Sequence, residues 1–374
     1  MPRLRAALFL LITIACRHDG ESASDPNVGS AGAHDASVAE AAPPPVAVEN
    51  DIEFLAAGDI ADCDPNTPPT IAEAKRTGAL LAQYPNATIA AIGDLSYPNF
   101  TTAPTCFADA WGKEASRVYP AIGNHEHIGS SDRMRATKAY FDYWETVSPG
   151  RAGARGEGWY SYDRGSWHIV ALNSDCQEAV PWIKDPIDCS ADGPQMKWLK
   201  ADLEAQPIGK CTLAYFHHPV WSMTRAVGSP VATPPTLQDD AKSFLPFWEE
   251  LYKHGVDVVL TGHLHYYART VPLDAAGNRD DAHGMRFFVA GMGGSEFYND
   301  KPAIRAGTIE AVGLEFGVVR FVLKAHSYLW EFLSVNGAEG DSGAFTDKGS
   351  GDCHDAPLSV RFNKNATVFP PDSR

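Results

Sequence analysis

A short polar run, Gly123-Asn124-His125-Glu126, follows the apolar and strand-like Val118-Tyr119-Pro120-Ala121-Ile122. Four other runs have the same grammar, an apolar strand that ends in small residues and then a metal-liking side chain. They are Phe54-Leu55-Ala56-Ala57-Gly58-Asp59, Ile89-Ala90-Ala91-Ile92-Gly93-Asp94-Leu95-Ser96-Tyr97, Thr212-Leu213-Ala214-Tyr215-Phe216-His217-His218 and Val258-Val259-Leu260-Thr261-Gly262-His263-Leu264-His265. Polar side chains that leave the end of a buried strand are where an α/β enzyme presents its chemistry. With Asn124 these runs supply enough oxygen and nitrogen donors for two metal ions.

The rest of the chain must fold so that these ends converge. Its 374 residues, 44% hydrophobic and 10% aromatic, exclude a mainly disordered protein and fit either one large core or two domains. A formal net charge of -16 argues against a nucleic-acid backbone as partner, because that affinity is built on Lys and Arg contacts. A phosphate bound here would have to be attracted by metal.

Arg3 and Arg5 precede an apolar run, Ala6 to Ala15, which reads as an export signal too short to span a bilayer. Thr13-Ile14-Ala15-Cys16 resembles a bacterial lipoprotein cleavage box, with Thr13 where Leu is usual. A membrane tether through lipidated Cys16, at the periplasmic or cell surface, and plain secretion are the two readings. Residues 16–50, rich in Ala, Ser, Gly, Asp and Pro, have no periodic apolar face and read as a disordered linker. Its r.m.s. reach would be on the order of 30 Å. Beyond Cys16, Cys63, Cys106, Cys176, Cys189, Cys211 and Cys353 form an even set that reads as disulfides, with connectivity open and Cys176–Cys189 close enough for a local loop. A thiolate metal site competes poorly, because no pair has CxxC spacing.

Order begins near Ile52, and strands into Asp59, Asp94 and Asn124 alternate with helical stretches, the signature of a layered α/β fold. Thr70 to Tyr84 reads as a helix with Thr70 and Glu73 as a capping box. Gln195 to Ala205, and a segment with Phe244, Phe247, Trp248 and Leu251 on one face, read as further helices. Trp159 to Leu172 alternates at period two, as in an antiparallel or mixed sheet, and a Pro/Thr-rich loop runs from Ser229 to Thr236. Gly291-Met292-Gly293-Gly294 reads as a tight bend, and Val318–Leu323 with Ser327–Ser334 as a closing hairpin.

Taken together the five runs resemble the signature of calcineurin-like metallophosphoesterases, in particular the purple acid phosphatase branch, because Tyr97 follows Asp94 by three residues. The resemblance covers about Ile52 to Leu333. Two positions depart from it, Ala61 where Gly is usual and Ala214 where Val is usual, and neither supplies a ligand. The chain also lacks the separate N-terminal β-domain of large plant relatives and looks closer to compact bacterial members.

The resemblance implies a four-layer α/β/β/α sandwich with two central mixed sheets, in a catalytic domain spanning 51–370. It implies that Asp59, Asp94, Tyr97 and His265 hold one metal, with Fe(III) favoured there. Asp94, as a bridge, would join Asn124, His217 and His263 around a second, which suits Zn, Fe(II) or Mn. Two such ions could clamp phosphoryl oxygens and supply hydroxide at moderate pH for in-line displacement. His125 would donate a proton to the leaving oxygen of a small phosphorylated substrate. His218, beside His217, reads equally as a contact to that substrate or as a structural loop histidine. The implied activity is acid phosphatase on phosphomonoesters, with a phosphodiesterase or a non-catalytic tethered binding module as alternatives.

Nearby residues carry plainer readings. His127, Asp62 and Asp64 read as solvated or loop-capping, and His168 as a satisfied sheet residue. Tyr266, Tyr267 and Arg269 resemble the family's aromatic and basic follow-on to the last run, where a substrate contact and a structural role weigh equally.

Overall fold

Why the five runs are apolar throughout, rather than alternating, follows from what lies on either side of them. In the computed structural model, which describes residues 51–64, 71–100, 104–176, 179–222, 236–237, 239–297, 307–337 and 344–355, they are strands buried on both faces, which need apolar residues at every position. The export signal, the Cys16 box, the linker, Thr70 of the capping box and residues 229–235 lie outside those described. All the described residues belong to one unit, Val48–Arg374.

The strands are β1 (Ile52–Ala57), β2 (Thr88–Ile92), β3 (Val118–Ala121), β4 (Tyr160–Arg164), β5 (Trp167–Ala171), β6 (Thr212–Tyr215), β7 (Val258–Thr261), β8 (Tyr267–Leu273), β9 (Met285–Ala290), β10 (Ile309–Gly313), β11 (Gly317–Leu323), β12 (Ser327–Ser334) and β13 (Lys348–Asp352). They form two mixed sheets, ordered β13-β12-β11-β1-β2-β3 and β10-β8-β9-β7-β6-β5-β4. In the first, β1, β2 and β3 are parallel while β11 and β12 run antiparallel as the expected closing hairpin. In the second, β5, β6, β7 and β9 are parallel, and β4 pairs antiparallel with β5. That hairpin accounts for the period-two pattern read at Trp159 to Leu172.

Alternate residues of each strand divide between two cores, as the pleat requires. Phe54, Ala56, Ala90 and Ile92 of the first sheet meet Ile169, Leu213, Tyr215, Leu260 and Phe288 of the second in a shared core. Their neighbours Leu55, Ala57, Ile89 and Ala91 face outward, onto Leu81, Phe107, Trp111, Tyr140 and Trp144. Those belong to helices α1 (Ile71–Ala82), α2 (Pro104–Trp111) and α3 (Lys138–Val147). On the far side, α4 (Pro194–Glu204) and α5 (Leu245–Lys253) lay Met196, Leu199, Leu203, Phe247, Trp248 and Leu251 on Ala214, Val259 and Phe287. Helix, sheet, sheet, helix is the four-layer order expected.

The six cysteines among the described residues pair, as Cys63–Cys106, Cys176–Cys189 and Cys211–Cys353. The first ties the loop beyond Asp59 to α2, and the third ties the start of β6 to the segment after β13. Such a set belongs to an extracellular or periplasmic, oxidising compartment. Among the described residues no helix is long and apolar enough to cross a membrane.

Candidate metal centre

The parallel strands of both sheets deliver their donors at C-terminal ends: Asp59 after β1, Asp94 after β2, Asn124 after β3, His217 and His218 after β6, His263 and His265 after β7. Three of these non-glycine residues have left-handed backbone, Asp59 at φ 57°, Asp94 at 48° and His263 at 67°. Such conformations cost roughly 1–3 kcal/mol each and persist where surrounding structure imposes them, as at functional sites. The glycines beside them allow close approach. A Cβ on Gly123 would lie 2.4 Å from Asp94 Oδ1, and one on Gly262 2.7 Å from Asp59 Oδ2.

The donors meet in two groups joined at Asp94 Oδ2. In the first, the Tyr97 hydroxyl lies 2.8 Å from Asp59 Oδ1, 3.0 Å from Asp94 Oδ2 and 3.0 Å from His265 Nε2. A phenol has one proton to donate, and here it faces two carboxylates. In the second, His217 Nε2 is 3.2 Å from Asp94 Oδ2 and 3.1 Å from Asn124 Oδ1, and His263 Nδ1 is 3.2 Å from the same amide oxygen.

Both groups are deficient in positive charge, and protons make up the deficit. His217 Nδ1 donates to the Ile92 carbonyl at 2.9 Å, so with acceptors at Nε2 as well the ring is driven to its doubly protonated form. Burial opposes this, but the Asp94 carboxylate prevails and raises its pKa to about 10. Asp94 in turn is held well below the ordinary carboxylate range; burial works against that, and the charge of His217 outweighs it. His265 is raised by Asp59 against its burial, while burial and cationic His217 push His263 down to about 4. Cations at these points would replace the protons, which is how ligand sets behave. The residues therefore fit metal: ring nitrogens of His217, His218 and His263 lie within 4.8 Å of one another, as do ligand atoms of Asp59, Asp94 and His217.

His125 Nδ1 is tied to the Pro98 carbonyl at 2.8 Å, its Nε2 is 3.9 Å from Asp94 Oδ2, and its ring lies 4.2 Å from that of Tyr97. It opens on a cavity of about 400 Å³ lined also by Asp62, Tyr97, His265, Ser295, Glu296 and Phe297. His218 is fully buried, with Nδ1 3.0 Å from Ser174 Oγ and no partner at Nε2. Its pKa is well below the usual value, through burial and the neighbouring His263 and His217 rings.

One reading needs correction. His127, taken as solvated or loop-capping, is fully buried with Nε2 3.0 Å from Asp175 Oδ2, because the turn Asn124–His127 folds it inward. Asp62 does cap its loop, accepting from Asp64 N at 2.8 Å, but it is buried in doing so. His168 is satisfied between Asp163 and Asp202 as expected. Tyr267 and Arg269 spend their polar atoms on Asp347, with Arg269 also on Glu310, which favours their structural role.

Sequence reasoning missed Glu126. Its buried carboxylate accepts from Gly123 N at 2.7 Å, Asp94 N at 2.9 Å and Leu95 N at 2.8 Å, pinning one donor loop to another. Burial and the Asp94 charge push its pKa well up, against the N–H groups of Leu95 and Gly123 and the charge of His217. Also missed was Asn173-Ser174-Asp175 after β5, a sixth strand end of the same grammar, clamped where Gln195 bonds the Asn173 backbone at both N and O.

Residues 52–267 match the model of the calcineurin-like phosphoesterase family, more than half of the chain. The protein belongs to that family. Its fold is similar to that of a purple acid phosphatase, PPD1, from yellow lupin (Lupinus luteus) seeds, at 17% identity and TM-score 0.59 over 87% of this chain. The chain spans 57% of the lupin chain. The fold is also similar to that of GAP50, the anchor in the inner membrane complex of Plasmodium, at 13% identity and TM-score 0.53 over 87% of this chain and 99% of that one. A structure of PhoD is similar at 12% identity and TM-score 0.55, over 83% of this chain and 72% of the other. No curated protein matches the chain.

Proposed function

We propose that this domain hydrolyses phosphomonoesters outside the cytoplasm, after the manner of a purple acid phosphatase. The observation that carries the reading is the contact of Asp59, Asp94, Tyr97 and His265 in one group and Asp94, Asn124, His217 and His263 in another, with Asp94 common to both. The first group, with a phenol and two carboxylates, suits Fe(III); the second suits Zn, Fe(II) or Mn. When bound, two such ions supply Lewis-acid charge at the phosphoryl oxygens and lower the pKa of the attacking water.

The chain's own residues position and deliver protons. His217 and His265 are oriented by backbone carbonyls at Nδ1, of Ile92 and Glu296, so that Nε2 faces inward. Asp94 Oδ1 accepts from the His125 backbone N–H at 2.8 Å, which holds the His125 backbone against the donor cluster. With Nδ1 bound to Pro98, His125 Nε2 is the atom that hands a proton to the leaving oxygen. An export route with lipidated Cys16 as tether rests on the N-terminal sequence.

Release of nitrophenol from a phosphomonoester and from the corresponding diester, by the metal-loaded domain, tests the proposal. Faster monoester cleavage supports it, and a preference for the diester replaces it with a phosphodiesterase. Cleavage of neither, with two metals bound, would make the domain a tethered binding module, the kind of role that the word anchor gives the Plasmodium protein.

A further inference from the structure

His218 reads from the sequence as either a substrate contact or a structural histidine, and its ring is fully buried and does not line the cavity that His125 opens on. Its surroundings repeat the pattern of the inward-facing imidazoles. His217 and His265 each have Nδ1 tied to a backbone carbonyl and Nε2 turned to the donors. His218 has Nδ1 on the Ser174 hydroxyl at 3.0 Å and 3.6 Å from Asp175 Oδ1, while Nε2 is buried without a partner. One of its ring nitrogens lies within 4.8 Å of those of His217 and His263.

Asp175 sharpens the point. Its carboxylate is fully buried between His127 Nε2 at 3.0 Å and His218 Nδ1 at 3.6 Å, with neither oxygen in an aligned hydrogen bond. A buried carboxylate so placed is costly unless positive charge lies close by. A cation on the opposite side of the His218 ring would supply it, with the Ser174 hydroxyl orienting the ring at Nδ1 and the Asp175 charge behind it, much as outer partners orient and strengthen metal-ligating histidines.

We infer that His218 is a further ligand of the metal held by Asn124, His217 and His263, and that Asp175, braced by His127 and Ser174, is its positioning residue. The site would then have three imidazoles on one ion, a donor set that favours Zn or Fe(II) over Mn, whose preference is for oxygen. This rests on the dinuclear reading given above.

The test is titration of chelator-stripped protein with Co(II), followed by absorption and calorimetry, for wild type, His218→Ala and Asp175→Asn. Wild type takes up two equivalents. In His218→Ala one of the two sites weakens by at least about tenfold and its ligand-field bands shift; Asp175→Asn weakens the same site by about 10- to 100-fold. His218→Gln, nearer in volume, is titrated beside them so that a folding failure of the alanine variant does not decide the question. Wild-type affinity and spectrum in all three variants overturn the inference, and so does a raised KM with unchanged Co(II) binding, which returns His218 to the substrate. Wild type that binds fewer than two equivalents fails the dinuclear reading itself.

Discussion

Removing the Glu126 carboxylate should loosen the metal centre without touching a donor. In the folded domain it accepts from Gly123 N, Asp94 N and Leu95 N, all buried, so that Glu126→Ala leaves three N–H groups without an acceptor. Each orphaned donor costs about 1–3 kcal/mol, and part is returned because a buried carboxylate beside Asp94 is also gone. The expected loss is about 3 kcal/mol or more, a large share of the ~5–15 kcal/mol that holds a domain folded. Glu126→Gln keeps the volume but turns an amide N–H toward one of the three donors, and should lose about 1–3 kcal/mol. Urea unfolding of the metal-free domain, extrapolated to water, measures both, with metal affinity read in parallel. If Glu126→Ala stays within about 0.5 kcal/mol of wild type and binds metal unchanged, the three bonds are not what hold the loops together.

Tyr97→Phe removes the hydroxyl that meets Asp59, Asp94 and His265, and the iron-loaded variant should lose its visible charge-transfer band; a band that persists would free Tyr97 from the ligand set. His125→Ala should slow esters with poor leaving groups by about 100- to 10,000-fold and activated nitrophenyl esters far less, whereas equal loss for all would point to phosphate binding. Asp257, away from the centre, has its pKa raised to about 8 by burial, against bonds from Thr212 N and His354 N. A folded pKa above the unfolded one near 3.8 gives stability that is full below the latter and lost as pH rises through about 8. Unfolding from pH 4 to 8 should therefore show stability falling relative to Asp257→Asn, and parallel curves would refute it.

Strand ends were legible because a strand buried on both faces must be apolar throughout, so the first polar residue beyond Gly58, Gly93, Ile122 and Gly262 stands out. The hairpin of β11 and β12 was legible for the opposite reason, since each strand breaks its apolar run with polar residues. Helices α2 and α3 escaped notice: α2 has only eight residues, and α3 opens straight from another turn of helix. Partnership was harder to read than position. Nothing in Asn124-His125-Glu126-His127 distinguishes the residue that faces the cavity from the two that turn inward, because a tight turn scatters side chains in several directions. Asp175 was invisible because its partners, His127 and His218, come from different strand ends. Pairing of Arg269 with Asp347 spans the gap between β8 and the approach to β13, which a local pattern cannot register.

The most direct test of the centre is to restore metal stepwise to chelator-stripped protein while following phosphomonoester hydrolysis, with Asp94→Asn as control. Two ions joined at Asp94 predict activity that rises to a plateau at two equivalents in wild type and stays at background in the control. Full activity at one equivalent, or an Asp94→Asn variant that works as well as wild type, would contradict a shared dinuclear site.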